Sequence, residues 1–224
     1  RFLHVLVMTS FLLLVATGMP LKFYYTDWAK DVVRWIGGLQ AASQLHRLGA
    51  IITFAYFILH LGSLARRGYV NRAQFRAEKT GRFSVRRFLG FVFGPDLPYP
   101  HVQDFKDWWA HQKWFFGRGP QPQFDKWTYW EKFDYMAVFW GVAVIGLSGL
   151  VMWFPEFFTR FFPGWIINVA LIVHSDEALL AAGFIFAFHF FNVHFRPEKF
   201  PIDSVIFSGR ISKTEMLHER RRWY

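Results

Sequence analysis

The sequence predicts an all-α integral membrane protein: a bundle of four transmembrane helices with a long cytoplasmic loop between helices 2 and 3. Three observations support this fold class. Hydrophobic residues make up 53% of the 224 residues and are concentrated in four long runs. Basic residues are concentrated in the segments that topology would place on one side of a membrane. Histidines recur at matching positions in two of the four runs.

The four apolar runs cover approximately residues 1–20, 46–65, 135–154 and 165–192. A helix that crosses a bilayer needs roughly 20 apolar residues, since each residue adds about 1.5 Å. The first and third runs are the clearest, because Phe2–Met19 and Tyr135–Phe154 contain no charged residue. We therefore treat residues 1–224 as a single membrane domain, with a loop over 66–134 and a tail over 195–224.

The net charge of +10 follows the predicted topology. Thirteen of the 26 basic residues lie between Arg66 and Lys132, and seven more lie between Arg196 and Arg222. Because cytoplasmic segments carry an excess of Lys and Arg, this distribution predicts that both termini and the long loop are cytoplasmic. The setting is the cytoplasmic membrane of a bacterium or archaeon, with lipid and not nucleic acid as the partner of the basic residues.

The remaining segments are predicted to be surface or packing elements. Residues Asp27–Leu39 form a short amphipathic piece on the outer surface, and the loop over 66–134 holds short interfacial helices that cap the bundle. His101 and His111 in this loop, and His218 in the tail, are interpreted as structural or solvated. The third run has no ligand of its own, and its small residues favour close helix packing: Gly141, Gly146, Ser148 and Gly149.

Two histidines lie on the fourth run, fifteen residues apart. At about 100° and 1.5 Å per residue, His174 and His189 project within about 60° of one another and are about 22 Å apart along the axis. His194 follows just beyond the run. Ionisable groups are costly in hydrocarbon, so each one is a candidate functional residue.

The second run repeats the pattern. His46 and His60 are fourteen residues apart, within about 40° of one face and about 21 Å apart along the axis. Packing of the rings against polar neighbours is the alternative explanation for any one histidine. Matching pairs at matching depths on two helices favour two metal centres stacked across the membrane.

The absence of cysteine limits the type of metal centre. It excludes covalent c-type haem attachment and iron–sulfur ligation within this chain. A six-coordinate haem needs two axial ligands, and neutral imidazoles from facing helices provide them. By depth, His46 and His174 form the one obvious pair on the outer side. On the inner side several histidines compete for a partner: His4, His60, His189 and, one to two turns lower, His194.

Several segments resemble a known family. RFLHVLVMTSFLLLVATG and the later HRLG resemble the first two spans of the di-haem cytochrome b subunits of membrane-bound formate dehydrogenase (the gamma subunit), nickel–iron hydrogenase and thiosulfate reductase. EKFDYMAVFWGVAVIGLSGLVMWFP and HSDEALLAAGFIFAFHFFNVHFRPEKFP are similar to the C-terminal half of the same group. The resemblance covers the four spans, and the middle loop matches less clearly.

The resemblance implies a b-type cytochrome subunit of a larger, hetero-oligomeric oxidoreductase. His4 and His189 would hold the inner haem b, and His46 and His174 the outer one. Electrons would pass between a quinone (menaquinone or ubiquinone) near the cytoplasmic side and a redox partner on the outer side. That partner would be an iron–sulfur protein or a multihaem cytochrome c. No catalytic residues for a soluble substrate are predicted.

Two features depart from the family pattern. The fourth-helix spacing is fifteen where the family has fourteen, so we expect a local bulge or a shifted haem. His60 and His194 also have no assigned role. They could ligate a third haem, His60 could replace His4 as the inner ligand, or both could bind quinone and haem propionates.

Charged residues near the histidines allow two interpretations. Arg47, Asp176 and Glu177 could be a helix-end cluster satisfied by water or by one another. Alternatively, Arg47 binds a haem propionate and a carboxylate relays protons. Three charged residues at the start of the third run could take part in quinone protonation, although this prediction has weaker support: Glu131, Lys132 and Asp134. A rival of another class is a non-redox proton or ion channel with a His and Asp/Glu relay.

Overall fold

The computed structural model describes residues 1–77, 81–197 and 199–224. Within these residues the regular structure is helical, and the one extended pairing is an isolated bridge between Arg76 and Phe83. The helices in chain order are α1 (Phe2–Lys22), α2 (Asp27–Ile36), α3 (Leu39–Val70), α4 (Val85–Val92), α5 (Val102–Phe115), α6 (Tyr129–Trp153), α7 (Pro155–Phe158), α8 (Ile166–Phe184), α9 (Val205–Ser208) and α10 (Lys213–Glu219).

Within the residues that the structure describes, four helices are long and apolar enough to cross a membrane. They are α1, α3, α6 and the continuous helical stretch Ile166–Phe195, which begins as α8. The prediction of an all-α membrane protein with four spanning helices is therefore confirmed. The side of the membrane on which each terminus and loop lies stays a prediction.

The third spanning helix begins earlier than predicted, at Tyr129 and not at 135. Thr128 and Glu131 form a reciprocal cap at this end. The Thr128 backbone N–H donates to the Glu131 carboxylate at 2.8 Å, and the Glu131 N–H donates to the Thr128 hydroxyl at 3.3 Å. Such a capping box satisfies backbone donors that an apolar run alone leaves open, so the helix starts before its apolar part.

The second spanning helix is also longer than its apolar run, since α3 covers Leu39–Val70 in place of 46–65. Between α3 and α6 lie a 3₁₀ turn over Arg72–Phe75 and the two short helices α4 and α5. Residues 78–80 of the predicted loop and residue 198 of the predicted tail lie outside the described residues.

The chain divides into two compact units. Unit 1 consists of Arg1–Ser63 and Phe139–Asp203 and contains most of the spanning helices. Unit 2 consists of Leu64–Val138 and Ser204–Tyr224 and contains α4, α5, the first turns of α6 and the C-terminal tail.

Small residues and aromatic rings hold unit 1 together. A Cβ at Gly49 of α3 would come 2.9 Å from the Leu14 side chain of α1, so this crossing requires glycine. Gly146 of α6 lies against the ring of Phe54 on α3, where a Cβ would be 3.1 Å away. The fourth spanning helix contacts α1 through the rings of Phe186 and Phe11, whose centroids are 6.1 Å apart.

The fourth spanning helix changes geometry part-way along. After Phe184 the backbone forms two π-helical turns, Ile185–His189 and Phe191–Phe195. A π turn accommodates an extra residue within a helix and occurs frequently at functional sites. The expectation of a local bulge in this helix, based on the fifteen-residue spacing of its histidines, is met.

In unit 2 the tail is held by ion pairs. The two terminal guanidinium nitrogens of Arg222 donate to the carboxylate of Asp107 on α5. Arg220 Nη2 donates to Glu131 Oε1 at 2.6 Å. Burial of Arg222 acts to lower its pKa, but the hydrogen bond and charge of Asp107 outweigh this, so the pKa of the guanidinium is raised. These bonds attach the chain terminus to α5 and to the start of α6.

Candidate metal centres between the spanning helices

The outer candidate pair consists of His46 on α3 and His174 on α8. The structure brings their rings together, with centroids 6.1 Å apart and ring planes at 67°. Both rings lie within unit 1 and both are largely buried. The pairing expected from depth along the two helices is therefore present as a side-chain contact.

The Nδ1 atom of His46 is held by α1. It lies 2.9 Å from the hydroxyl oxygen of Thr17, a nearly fully buried residue. The Thr17 hydroxyl in turn lies 2.7 Å from the Leu13 carbonyl, which can only accept a proton. Since a hydroxyl has one proton to give, Thr17 accepts from Nδ1–H. This tautomer leaves the lone pair on Nε2.

The Nδ1 atom of His174 is held in the same way by α6. It lies 2.8 Å from the Ile145 carbonyl oxygen, and Ser148 Oγ is 3.5 Å away. A carbonyl accepts only, so Nδ1 must be the donor and Nε2 again keeps its lone pair. In metal sites, the ring nitrogen that does not bind the metal donates a hydrogen bond of this kind.

Each ring also packs against a glycine. A Cβ at Gly18 would come 3.1 Å from Cε1 of His46, and a Cβ at Gly149 would come 3.0 Å from Cε1 of His174. The two histidines thus rest on equivalent hydroxyl–glycine pairs, Thr17–Gly18 and Ser148–Gly149. Each hydroxyl residue lies five residues before the end of its helix.

These hydroxyl–glycine pairs were missed by sequence reasoning. The sequence predicts that Ser148 and Gly149 are helix-packing residues and that Gly18 helps to end the first span, and it assigns no role to Thr17. The signal was present, since both spans that carry no outer ligand end with the same short pattern. Recognising it needed the knowledge that α1 faces His46 and that α6 faces His174.

The outer pair fits the axial ligands of a haem iron. Two imidazoles bound on opposite sides of one metal ion, with metal–nitrogen bonds near 2 Å, have ring centres about 6 Å apart. The observed spacing of 6.1 Å matches this value. In the neutral form of each ring the Nε2 lone pair is free, and this is the form that an iron ligand requires.

The inner candidates include His4 on α1 and His189 on the fourth spanning helix. They lie close enough to interact electrostatically, and the Phe11–Phe186 contact joins the same two helices. His189 closes the first π-helical turn. The π-helical turn takes up one extra residue. The fifteen residues from His174 to His189 therefore cover about the same rotation and rise as fourteen residues of a regular α-helix. The bulge therefore matches the spacing of His46 and His60.

His60 and His194 have separate surroundings. The ring of His60 packs edge-on against Phe139 of α6, with centroids 5.8 Å apart. His194 lies in the second π-helical turn, against the ring of Phe190 at 5.2 Å, and interacts electrostatically with His189 and Asp203. His194 thus belongs to the same cluster as His189.

The charged residues near the outer pair are paired with protein groups. The Arg47 guanidinium lies over the ring of Trp153, 5.4 Å from its centroid. Asp176 forms an ion pair with Lys22 of α1 at 2.6 Å, and Glu177 accepts from Trp140 Nε1 at 3.4 Å. These contacts agree with a helix-end cluster, and the propionate and proton-relay roles stay predictions.

The histidines interpreted as structural lie in unit 2. His111 bonds through Nδ1 to the Tyr129 hydroxyl at 3.0 Å and contacts four aromatic rings. His101 precedes α5, and its ring lies beside Asp104 and Lys132. Lys132 is fully buried and bonds both oxygens of Asp104, at 2.8 and 3.0 Å. It is therefore part of an ion pair that holds α5 to α6.

Comparisons with protein-family models, with curated proteins and with solved structures found no match to this chain. Among the described residues there is no group of three or more His, Cys, Asp or Glu side chains that could hold a metal ion. Haem iron takes two axial ligands, so pairs of histidines are the relevant unit.

Proposed function

We propose that this chain is a membrane cytochrome b in which His46 and His174 hold one haem b and His4 and His189 hold a second. The observation that carries the proposal is the outer pair: two imidazoles in contact, each with Nδ1 donating to a neighbouring helix. When bound, haem supplies a one-electron carrier. Two such sites form a path for electrons between the two ends of the helices.

The residues of the chain fix the ligands before any group binds. Thr17 and the Ile145 carbonyl orient the two rings through Nδ1, and in the neutral rings this would leave Nε2 as the atom that could hold iron. Gly18 and Gly149 let the rings lie against the helix backbones. The apolar spans exclude water, which is one of the factors that set the potential of a buried redox group.

The separation of the two sites suits transfer across a membrane. Fourteen residues between His46 and His60 correspond to about 21 Å along α3, and with the π-helical turn the fourth helix spans a similar length. In this proposal a quinone reacts near the cytoplasmic end, and a redox subunit docks at the outer end. The distribution of basic residues supports that orientation.

A three-haem cytochrome serving a multihaem cytochrome c partner is the alternative within the same class. Its third haem would need His60 and His194. His194 is clustered with His189, whereas the ring contact described for His60 is with Phe139. We therefore favour two haems, with His60 and His194 near the quinone or the propionates.

Absorption spectra of the purified chain test the proposal directly. A reduced-minus-oxidised difference spectrum should show b-type α-bands, and pyridine haemochrome should give two haems per chain. His46→Ala and His174→Ala should each remove the same haem and leave one behind. His218→Ala is the matched control, since this exposed histidine lies in α10 and should keep both haems.

A colourless protein with intact helix content would overturn the proposal and favour the non-redox relay. Retention of both haems in His174→Ala would contradict the ligand assignment alone. Three haems per wild-type chain would select the three-haem alternative.

A further inference from the structure

Helix α5 in unit 2 has its polar and apolar faces reversed relative to a helix on a water-soluble protein. Its carboxylates point inward: Asp107 is 6% exposed, and Asp104 is similarly buried. Its large apolar side chains point outward, and Phe105 is 68% exposed. In water such an arrangement loses the benefit of apolar burial and pays for desolvating charges.

The reversal follows the helical period. At about 100° per residue, the exposed residues Val102, Phe105 and Trp109 project within about 60° of one another. Asp104 and Asp107 lie roughly on the opposite side, together with His111. These three exposed side chains form one continuous face, which we call the aromatic face, defined by Val102, Phe105 and Trp109.

The buried carboxylates are fully occupied in holding α5 to its own unit. Asp104 receives two bonds from Lys132 in the first turns of α6, and Asp107 receives the fork of Arg222. Removing one partner of such a buried pair is strongly destabilising, because the other charge is left buried and unpaired. The orientation of α5 is thus fixed by ion pairs, and rotation cannot bring the aromatic face inward.

We infer that the aromatic face of α5 lies in the lipid headgroup region and anchors unit 2 to the membrane surface. The position of α5 next to a spanning helix supports lipid as the occupant. Lys132 and Tyr129 contact the inner face of α5, and both residues belong to α6, which is apolar enough to cross a membrane. Trp and Phe are the residues enriched where protein meets that interface.

Charge supports the same occupant. Lys106 and Lys113 are exposed and project at the margin of the aromatic face, and the Lys113 ammonium lies 5.7 Å from the centroid of the Trp109 ring. Lysines in this position extend their ammonium groups toward headgroup phosphates while their alkyl stems cover apolar surface. An interfacial helix rich in lysine and aromatic residues binds anionic lipid.

Spin labels can test the inference, since the chain contains no cysteine. Phe105→Cys, Trp109→Cys and Val102→Cys are each labelled in the full chain. The labelled chains are reconstituted into nanodiscs of equal parts phosphatidylcholine and phosphatidylglycerol. Thr214→Cys, an exposed position on α10 of the same unit, is the matched control. Oxygen, which concentrates in lipid, and a water-soluble nickel chelate are the two collision reagents.

The oxygen-to-nickel accessibility ratio should be roughly tenfold higher at the three face positions than at residue 214, as for residues seated in the interface. Ratios at all three positions equal to the control would overturn the inference. So would low accessibility to both reagents, because this pattern indicates coverage by protein. Circular dichroism checks the helix content of each labelled chain. Because three positions on the face are labelled, the test does not depend on any one variant being stable. The accessibility measurement does not depend on haem content, so the inference about α5 can fail or succeed independently of the proposed function.

Discussion

The outer and inner histidine sites are built differently. His46 and His174 lie on regular α-helix, and each has Nδ1 held by a neighbouring helix. His189 lies on π-helical backbone, with His4 and His194 near it. In the proposed function, the outer site therefore has one combination of candidate ligands, with their orientation set by neighbouring helices. The proposed inner site has additional imidazoles, which would suit a region where a quinone exchanges electrons and protons.

The largest expected effect tests which residue completes the inner site. If the proposed assignment holds, His4→Ala should remove one haem per chain and leave the outer haem unchanged, because His189 would lose its proposed partner on α1. Pyridine haemochrome and the α-band spectrum measure this loss. Two haems in His4→Ala, together with one in His60→Ala, would show that His60 is the inner ligand.

A smaller effect is expected when the support of the outer site is weakened. Thr17→Val removes the acceptor for His46 Nδ1–H while keeping the shape of the side chain. Loss of such a hydrogen bond typically lowers metal-site affinity by roughly 10–100-fold, so the outer haem should dissociate more readily or change its potential. Haem titration and redox potentiometry check this.

Ser10→Ala is the matched control for Thr17→Val. Ser10 is also buried on α1, but its hydroxyl donates to the Val7 carbonyl of its own helix. If both variants shift the outer haem equally, the effect comes from α1 packing and not from the bond to His46.

The glycine contact should give a partial effect. Gly149→Ala places a Cβ 3.0 Å from Cε1 of His174, so the ring must move and outer haem occupancy should fall about twofold to threefold. Gly183→Ala on α8 has no atom within 4 Å of the added Cβ. It should keep full occupancy and stabilise the helix by up to about 1 kcal/mol. Equal occupancy in the two variants would contradict the role of Gly149.

The smallest change in haem content is expected for His60→Ala. Both haems should remain, since the ring of His60 packs on Phe139 of α6. The rate of electron exchange with a quinol analogue should change, and stopped-flow absorption at the α-band measures it. Loss of a third haem instead would select the three-haem alternative.

Much of unit 1 could be predicted because each feature depends on local sequence. Apolar runs of sufficient length predict spanning helices whatever their neighbours are. The pairing of His46 with His174 followed from equal depth. The fifteen-residue spacing of His174 and His189 predicted either a local bulge or a shifted haem, and the π-helical turn that ends at His189 is such a bulge.

The limits of the helices were less predictable. Hydrophobicity reports where a helix meets lipid, whereas the actual start of α6 depends on the hydrogen bonds between Thr128 and Glu131. The burial of Lys132 was also missed. A lysine at a helix end is normally solvated, and only the fold brings Asp104, 28 positions away in sequence, into contact with it.

By itself, the sequence determined that the chain forms four spanning helices and which histidines share a depth. Helical rise and the cost of exposing backbone in lipid act on each segment separately, so no knowledge of neighbours was required. Only the tertiary structure decided that Thr17 and Ile145 orient the imidazoles, that glycines admit the rings, and that α5 turns its aromatic face outward. Hydrogen bonds and ion pairs between distant segments depend on which helices are adjacent, and packing sets that adjacency.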